Sequence, residues 1–371
     1  MKAARLHAVG DLRVSDEPVP VPGPGESLVR VTAIGICGSD LHWWGEAGIG
    51  DAVLSRPLAL GHEAAGVIAD GPRQGERVAI DPAIPDNTCE LCLRGYRNLC
   101  TGIEFAGHGA RDGAMREFVA WPSRLLPPLP DSMSDAAGSV LEPLGVAIHA
   151  SDLGHLHLGG TAAVAGCGPI GLLLIQVLRA SGAASVIAFD PLPHRRAAAL
   201  ARGADAALDP AELDTPAPPR TPAPPRTPTP PRSQPEPRTP TPPGTPIPLG
   251  TQAALRKAVG DLGVDVAFEM AGTDGAVQLA MAAVRPGGRV VLGGIPVDDW
   301  TRFQASVARR KGLTIAMVRR MNDVYPRAIG LASSGRVDLE SLVSDRFPLV
   351  KAAEAFGTAA RRDSLKVVIE P

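Results

Sequence analysis

No charge of one sign dominates this chain. Its 37 lysines and arginines nearly balance 39 acidic residues, for a formal net charge of -2. The basic field that would attract nucleic acid is missing, and so is the acidic excess of a disordered chain. An uninterrupted apolar run is missing too. The longest uncharged stretch, 158–178, is broken by Gly159, Gly160, Gly166, Gly168, Pro169 and Gly171, so no membrane-spanning helix is expected. The opening residues Met1-Lys2-Ala3-Ala4-Arg5-Leu6-His7 lack the apolar core of a signal peptide. The cysteines do not come in an even set. Five of them, Cys37, Cys89, Cys92, Cys100 and Cys167, do not make a disulfide framework. Thiols kept reduced for metal, in a cytoplasmic protein, are the expectation.

What is present is an ordinary globular composition, 44% hydrophobic over 371 residues, long enough for two domains with separate cores. Residues 1–148 carry short strand-like runs (29–34, 64–69, 77–80, 118–120) between Gly/Pro turns, the pattern of an irregular, β-rich domain. From residue 161 strands and helices alternate. Strands are expected at 162–165, 185–189, 206–208, 264–270, 289–292 and 313–317, and helices at 170–180, 194–201, 252–259 and 275–284. That order predicts an α/β fold with a doubly wound parallel sheet over 149–318. The tail, 319–371, adds helices near 326–333 and 351–360 and a last strand at 366–369, and is assigned to the β-rich domain.

One stretch belongs to neither domain. Residues 214–248 repeat Thr-Pro-Ala-Pro-Pro-Arg with variation, and Arg220, Arg226, Arg232 and Arg238 recur every six residues. With almost nothing apolar to bury, it is expected to be a disordered or polyproline II arm. It is either a PxxP ligand for an SH3-like partner or a solvated insertion in a surface loop, since loop-closure cost grows slowly with length.

Polar chemistry gathers at the end of the strand 29–34, in Gly35-Ile36-Cys37-Gly38-Ser39-Asp40-Leu41-His42-Trp43-Trp44. His62 follows in Gly61-His62-Glu63, and Glu142 in Leu141-Glu142-Pro143. Cys, His and carboxylate together suit zinc. A zinc ion acidifies an alcohol as it does water, so the proton can leave before hydride does. Ser39 and His42 suit a proton relay, a hydroxyl handing on to an imidazole of ordinary pKa near 6.5. Trp43 and Trp44 are either walls of a substrate cleft or core.

A second cluster has the spacing Asp86-x2-Cys89-x2-Cys92-x7-Cys100. Three thiolates in so short a loop are hard to explain by packing, and Asp86 stands where a fourth tetrahedral ligand would. A third pattern is Gly166-Cys167-Gly168-Pro169-Ile170-Gly171, which follows a strand and opens a helix. Such glycines let the backbone approach a pyrophosphate resting on the helix N-terminus. Asp190 closes the next strand and favours NAD over NADP by accepting from the ribose 2′-hydroxyl, with Arg195 and Arg196 nearby to soften that preference. Gly293-Gly294-Ile295 would let the nicotinamide end lie close to the backbone. Cys167 is expected only to pack.

With these motifs in place, and with Arg320-x4-Tyr325-Pro326-x-Ala328, the chain resembles the zinc-dependent medium-chain alcohol dehydrogenases over all but the Pro-rich arm. Within them it is most similar to the polyol branch. The resemblance implies a GroES-like catalytic domain, a Rossmann domain for NAD, and a homo-oligomer, dimer or tetramer, through the cofactor domains. It implies Cys37 and His62 as catalytic zinc ligands with Glu63 and Glu142 as the carboxylates at the metal, a second, structural zinc in the cysteine lobe, and Arg320 as a contact to the polyol chain. Two departures stand out: Met321 replaces the aromatic expected beside Arg320, and Asp86 replaces a first lobe cysteine. The activity implied is oxidation of a secondary alcohol of a polyol or sugar acid by NAD. The alternatives are a threonine or butanediol dehydrogenase of the same family, a zinc-free reductase, or a scaffold recruiting partners through the arm. If the arm is a passive insertion, deleting residues 214–248 leaves steady-state turnover within about twofold, because the closure term changes slowly with loop length. A collapse of turnover in the deleted protein would assign the arm a role in the fold or the cleft.

Overall fold

The computed structural model describes residues 1–214 and 255–371. The Pro-rich stretch from 215 on, and the first residues of the helix expected from 252, lie outside them.

The strand Glu26–Gly35 is the centre of a first, six-stranded sheet. Its early part alternates, Val29 and Val31 inward and Arg30 outward, while Ala33, Ile34 and Gly35 are all buried, as a strand running into the middle of a protein must be. It pairs antiparallel with Glu63–Ile68 and with Lys366–Glu370, and the register sets Gly35 opposite both Glu63 and Val368. Arg77–Ile80, Phe118–Pro122 and Val343–Pro348 complete the sheet. Two strands that the sequence pattern does not flag, Lys2–Ala8 and Asp11–Asp16, form a small sheet with Leu58–Ala59. The strand Lys366–Glu370 of the large sheet comes from the far end of the chain.

The second sheet has six parallel strands in the order Ala206–Leu208, Ser185–Phe189, Thr161–Ala165, Val264–Glu269, Val284–Leu292, Thr314–Met317. This is the doubly wound sheet expected. Neighbouring side chains along each strand go to opposite faces. Val164, Val186 and Phe268 join one core with the helix Pro169–Ala180. Ala163, Phe189 and Val290 join another with the helix Asp274–Ala283. Strand order reverses between Thr161–Ala165 and Val264–Glu269, which opens a crevice at their carboxyl ends. Among the described residues no helix is long and apolar enough to cross a membrane.

The sequence pattern gives no helix between residues 121 and 160, yet Leu141–Gly154 is one of the longest. It escapes periodicity because it is buried almost all round, with Leu141, Leu144, Ala147, Ile148 and Ala150 fully enclosed. Pro143 is tolerated because it falls in the first turn. Ala65 and Ala79 of the first sheet and Val164 and Phe268 of the second share one core with this helix. The two sheets are therefore fastened by continuous apolar packing. Gly154 admits the edge of Phe268, and Gly145 admits Met321 and Val324, where a Cβ would collide.

Candidate active site

Cys37 sits at the start of the helix Gly38–Glu46, with extended backbone. The Asp40 carboxylate reaches back and accepts the Cys37 N–H at 3.0 Å. Its other oxygen accepts the Gly61 N–H at 3.2 Å and lies 3.5 Å from His62 Nδ1. One buried acid thus fixes the entry of the helix, the turn before His62 and the face of the imidazole. Burial opposes its charge, but His62 and the two backbone N–H groups hold the carboxyl below its ordinary value. Burial also opposes charge on His62, but the Asp40 carboxylate and the Cys37 sulfur hold it well above the ordinary value. The pocket is built to hold positive charge between these groups.

Cys37, His62 and Glu63 offer one ligand atom each within 4.8 Å of one another. A thiolate, an imidazole and a carboxylate with an open fourth position fit a catalytic zinc. Glu63 has a second claimant, for the Lys366 ammonium forms an ion pair with it and donates to the Ile36 carbonyl at 3.0 Å. Both side chains are almost fully enclosed. A Cβ on Gly35 would overlap the Glu63 carboxylate and crowd Lys366 Cε, so the glycine leaves room for the pair. Glu142 falls outside the tight trio. It is buried on the first turn of Leu141–Gly154, and burial and Glu63 push its carboxyl up to about 7 against the pull of His62 and Lys366.

Ser39 Oγ lies 3.4 Å from His62 Nε2. His42 stands on the same helix, its Nδ1 3.3 Å from Glu46. Trp43 is buried and meets His108 edge-on at 5.5 Å. Trp44 turns instead to Phe356, at 6.1 Å, in the core of the first sheet. The Phe105 ring is 5.3 Å from His62, and the Arg320 guanidinium lies 4.0 Å over that ring. Phe105 thus links Arg320 to the imidazole of the trio, and His108 packs on Trp43. Sequence reasoning assigns no role to Lys366, Phe105 or His108. Only Lys366 left a trace, a charge opening the apolar run Val367-Val368-Ile369.

Asp86, Cys89, Cys92 and Cys100 also come within 4.8 Å of one another. The N–H groups of Cys89 and Thr88, donating to Asp86 at 2.9 and 2.8 Å, hold its carboxyl far below the usual range. Burial pushes the Cys92 thiol up to about 12, a cost that a cation among the four ligands would remove. The donor set fits a structural zinc with one oxygen ligand.

The glycine loop opens the crevice of the parallel sheet. Gly166 has φ 99°, and a Cβ there would strike Met270 and Ala271. A Cβ on Gly171 would strike the Gly166 carbonyl. The helix Pro169–Ala180 starts at Gly168, with Ile170 and Gly171 in its first turn and Pro169 at a position where a missing N–H costs nothing. Asp190 is buried and accepts from the N–H groups of Cys167, at 2.8 Å, and Leu192, at 2.9 Å. Two of the four lone-pair sites of its carboxylate remain for a ribose. Arg195 reaches towards Gly168, with its Nε buried and unpartnered, while Arg196 bonds the Asp190 carbonyl and Asp209. Cys167 is fully buried, as a packing residue. Across the crevice Glu269, which the sequence did not single out, accepts the N–H groups of Ala271 and Gly272, and its backbone carbonyl accepts those of Gly293 and Gly294. A Cβ on Gly294 would overlap Gly272, and Ile295 beyond it is partly exposed.

A glycine-loop crevice joined to a Cys/His/Glu pocket defines a metal- and dinucleotide-dependent dehydrogenase. Residues 23–131 match the alcohol dehydrogenase GroES-like domain and residues 248–334 the zinc-binding dehydrogenase domain. The chain is 32% identical to a sorbitol dehydrogenase of Bacillus subtilis (strain 168), over 100% of this chain and 97% of that one. Its fold matches 2R,3R-butanediol dehydrogenase from Bacillus subtilis with a TM-score of 0.81 at 27% identity, covering 100% and 99% of the two chains. It matches a zinc-binding dehydrogenase from Sinorhizobium meliloti 1021 bound to NADP with a TM-score of 0.81 at 28% identity, covering 100% and 99%. The chain belongs to the zinc-dependent medium-chain alcohol dehydrogenase family, in its polyol branch. It is an oxidoreductase of the zinc-binding dehydrogenase kind.

If the cysteine lobe holds a structural zinc, Cys92→Ser lowers zinc content by about one ion per chain and lowers the melting temperature, since a structural site contributes folding free energy directly. Elemental analysis together with thermal melting checks this, and unchanged zinc and melting would remove the site.

Proposed function

We propose that the protein oxidises a secondary alcohol of a polyol or sugar acid to the ketone, with NAD as hydride acceptor. The observation that carries this is the Cys37/His62/Glu63 trio, with Glu142 rather than a second cysteine as the nearby fourth group. Residues 1–148 with 319–371 would form the catalytic unit and 149–318 the cofactor unit.

Zinc at the trio supplies Lewis acidity that lowers the pKa of an alcohol hydroxyl beside it. The chain's own residues do the rest. Asp40, 3.5 Å from His62 Nδ1, keeps the imidazole in one orientation. Lys366 balances the charge of Glu63. Ser39, at hydrogen-bond distance from the His62 ring, takes the hydroxyl proton and passes it towards His42 on the same helix. The glycine loop and the first turn of Pro169–Ala180 hold the pyrophosphate, and Asp190 the adenine-side ribose. Trp43 and Arg320 wall the substrate.

The edge strand Thr314–Met317, which among the described residues pairs on one side only, supports reading the protein as an oligomer. Ile315 and Met317 are exposed along it, and an apolar edge of this kind invites a second strand. A second copy of the chain paired there gives a dimer, and a monomer by light scattering at micromolar concentration would overturn it.

The test of function is a panel of alditols, aldonates, threonine and butanediols with NAD or NADP, followed by absorbance of the reduced cofactor. Turnover of a polyol or aldonate with NAD is expected, lost on zinc removal and restored by zinc. On that substrate Ser39→Ala lowers kcat by about 10²-fold. Activity that survives complete loss of zinc, or confinement of activity to threonine, would sink the proposal.

A further inference from the structure

We propose that a cavity between the cysteine lobe and the turn 319–323 is a second ligand site, apart from the catalytic pocket, and that it takes an α-amino acid as its zwitterion. Three parts of the chain line it, the segment 81–98, the turn 124–127 and the stretch 321–326, and none of Cys37, His62 and Glu63 does. Its volume is about 500 Å³, within the range of small-molecule sites.

The walls are held firmly. Trp121 Nε1 donates to the Asp81 carbonyl at 2.8 Å, and the Tyr325 hydroxyl donates to the Ile80 carbonyl at 2.9 Å. On the lobe side Asn98 donates to the Arg319 carbonyl at 2.9 Å, Asn322 donates to the Gly95 carbonyl at 2.9 Å, and Arg97 pairs with Asp323 at 2.6 Å. The turn 319–323 is thus pinned at three points to the cysteine lobe. Arg320 in its middle has left-handed backbone, φ 56°, which is costly for any residue but glycine and persists only where the surroundings impose it. Met321 and Asp323, on either side of Asn322, both line the cavity, so an occupant would rest against this strained turn.

Inside, an acid and a base are left apart. One oxygen of Asp81 accepts the Ala83 N–H at 3.1 Å, and the other takes no hydrogen bond among the described residues. Arg124 reaches the Pro85 carbonyl at 3.4 Å. Among the described residues neither Asp81 nor Arg124 belongs to an ion pair, whereas Arg97 and Asp323 satisfy each other. Burial and Asp323 push the Asp81 carboxyl up to about 7, against the Ala83 N–H, Arg124 and Arg97. A cationic group beside it would restore its charge. Asn98 adds an acceptor. It is only 5% exposed, and its Nδ2 serves the Arg319 carbonyl and lies 3.4 Å from His149 Nε2. The amide cannot turn over without setting its oxygen against that carbonyl, and as it stands its Oδ1 has no donor. A donor brought by a ligand would remove that cost. A free carboxylate and an orphan amide oxygen call for an ammonium, and a free guanidinium calls for a carboxylate. A zwitterion supplies both, while a neutral polyol would leave the two charges unmatched. Met321, Leu125 and Pro127 complete the walls, so the side chain accepted is small and apolar.

The test is equilibrium binding of L-valine, which has no hydroxyl to oxidise. Valine, isobutylamine (valine without the carboxylate) and 3-methylbutanoate (valine without the ammonium) are titrated calorimetrically into the zinc-loaded, full-length enzyme saturated with NADH. Valine is expected to bind at least about tenfold more tightly than either analogue, the scale of one charge-assisted hydrogen bond. Arg124→Gln, on an exposed side chain, brings valine down to the affinity of isobutylamine and leaves isobutylamine itself unchanged. Asp81→Asn, which keeps the shape of the side chain, brings valine down to the affinity of 3-methylbutanoate. Unchanged NADH affinity and melting temperature show that Arg124→Gln has left the fold intact. Equal binding of the three compounds, no binding of valine at millimolar concentration, or valine affinity unmoved by Arg124→Gln overturns the proposal. Binding of xylitol in place of valine, lost in Arg124→Gln, overturns it too, since the cavity would then be a polyol site.

Discussion

The carboxylate of Asp40 is the constraint on which the catalytic pocket depends. A buried charge is expensive unless several donors meet it, and here two backbone N–H groups and an imidazole do. Those donors belong to two segments, Cys37 at the start of one helix and Gly61-His62 before a strand. A single acid therefore sets the distance between the sulfur and the imidazole. The sheet register does the same for Glu63, which is fixed opposite Gly35. Three ligand atoms gather because backbone elements are fixed around them, so a metal finds its donors already in place.

Further out, the same economy recurs. The helix Leu141–Gly154 brings Glu142 to the pocket while its apolar sides weld the two sheets together. The cysteine lobe, which touches none of the catalytic trio, pins the turn that carries Arg320. A metal described as structural would on this geometry also govern the substrate side of the cleft, because the strained turn relaxes if its three anchors are lost.

Much of this was legible in the sequence because the signals were local and made of uncommon residues. Gly166 to Gly171 after a strand, three cysteines in one loop, and Cys37 with His62 each announce a chemistry within a few residues. The parallel sheet followed from alternating periodicities. What stayed hidden was either aperiodic or distant. Leu141–Gly154 is apolar on nearly every side, so it has no stripe to detect. Lys366 is one lysine in an apolar strand, and its partner is brought to it only by the sheet. Phe105 ends a two-residue strand and His108 lies in the turns beyond it, whose path no local rule fixes. The left-handed turn at Arg320 arises from tertiary anchors, so nothing in Arg319-Arg320-Met321 foretells it.

Lys366 donates to a carbonyl 330 residues earlier in the chain, and it neutralises Glu63, the acid of the metal trio. The pocket is thus closed by the last strand while its sulfur and imidazole come from the first sixty-two residues. During synthesis those ligands emerge early, but their counter-charge emerges only after the whole dinucleotide sheet has been made. Contacts so remote in sequence form late, so a nascent chain would hold a half-built, uncompensated metal pocket until its final strand docks. The order of translation itself postpones competence, which gives the cofactor-binding half time to fold before the chemistry can begin.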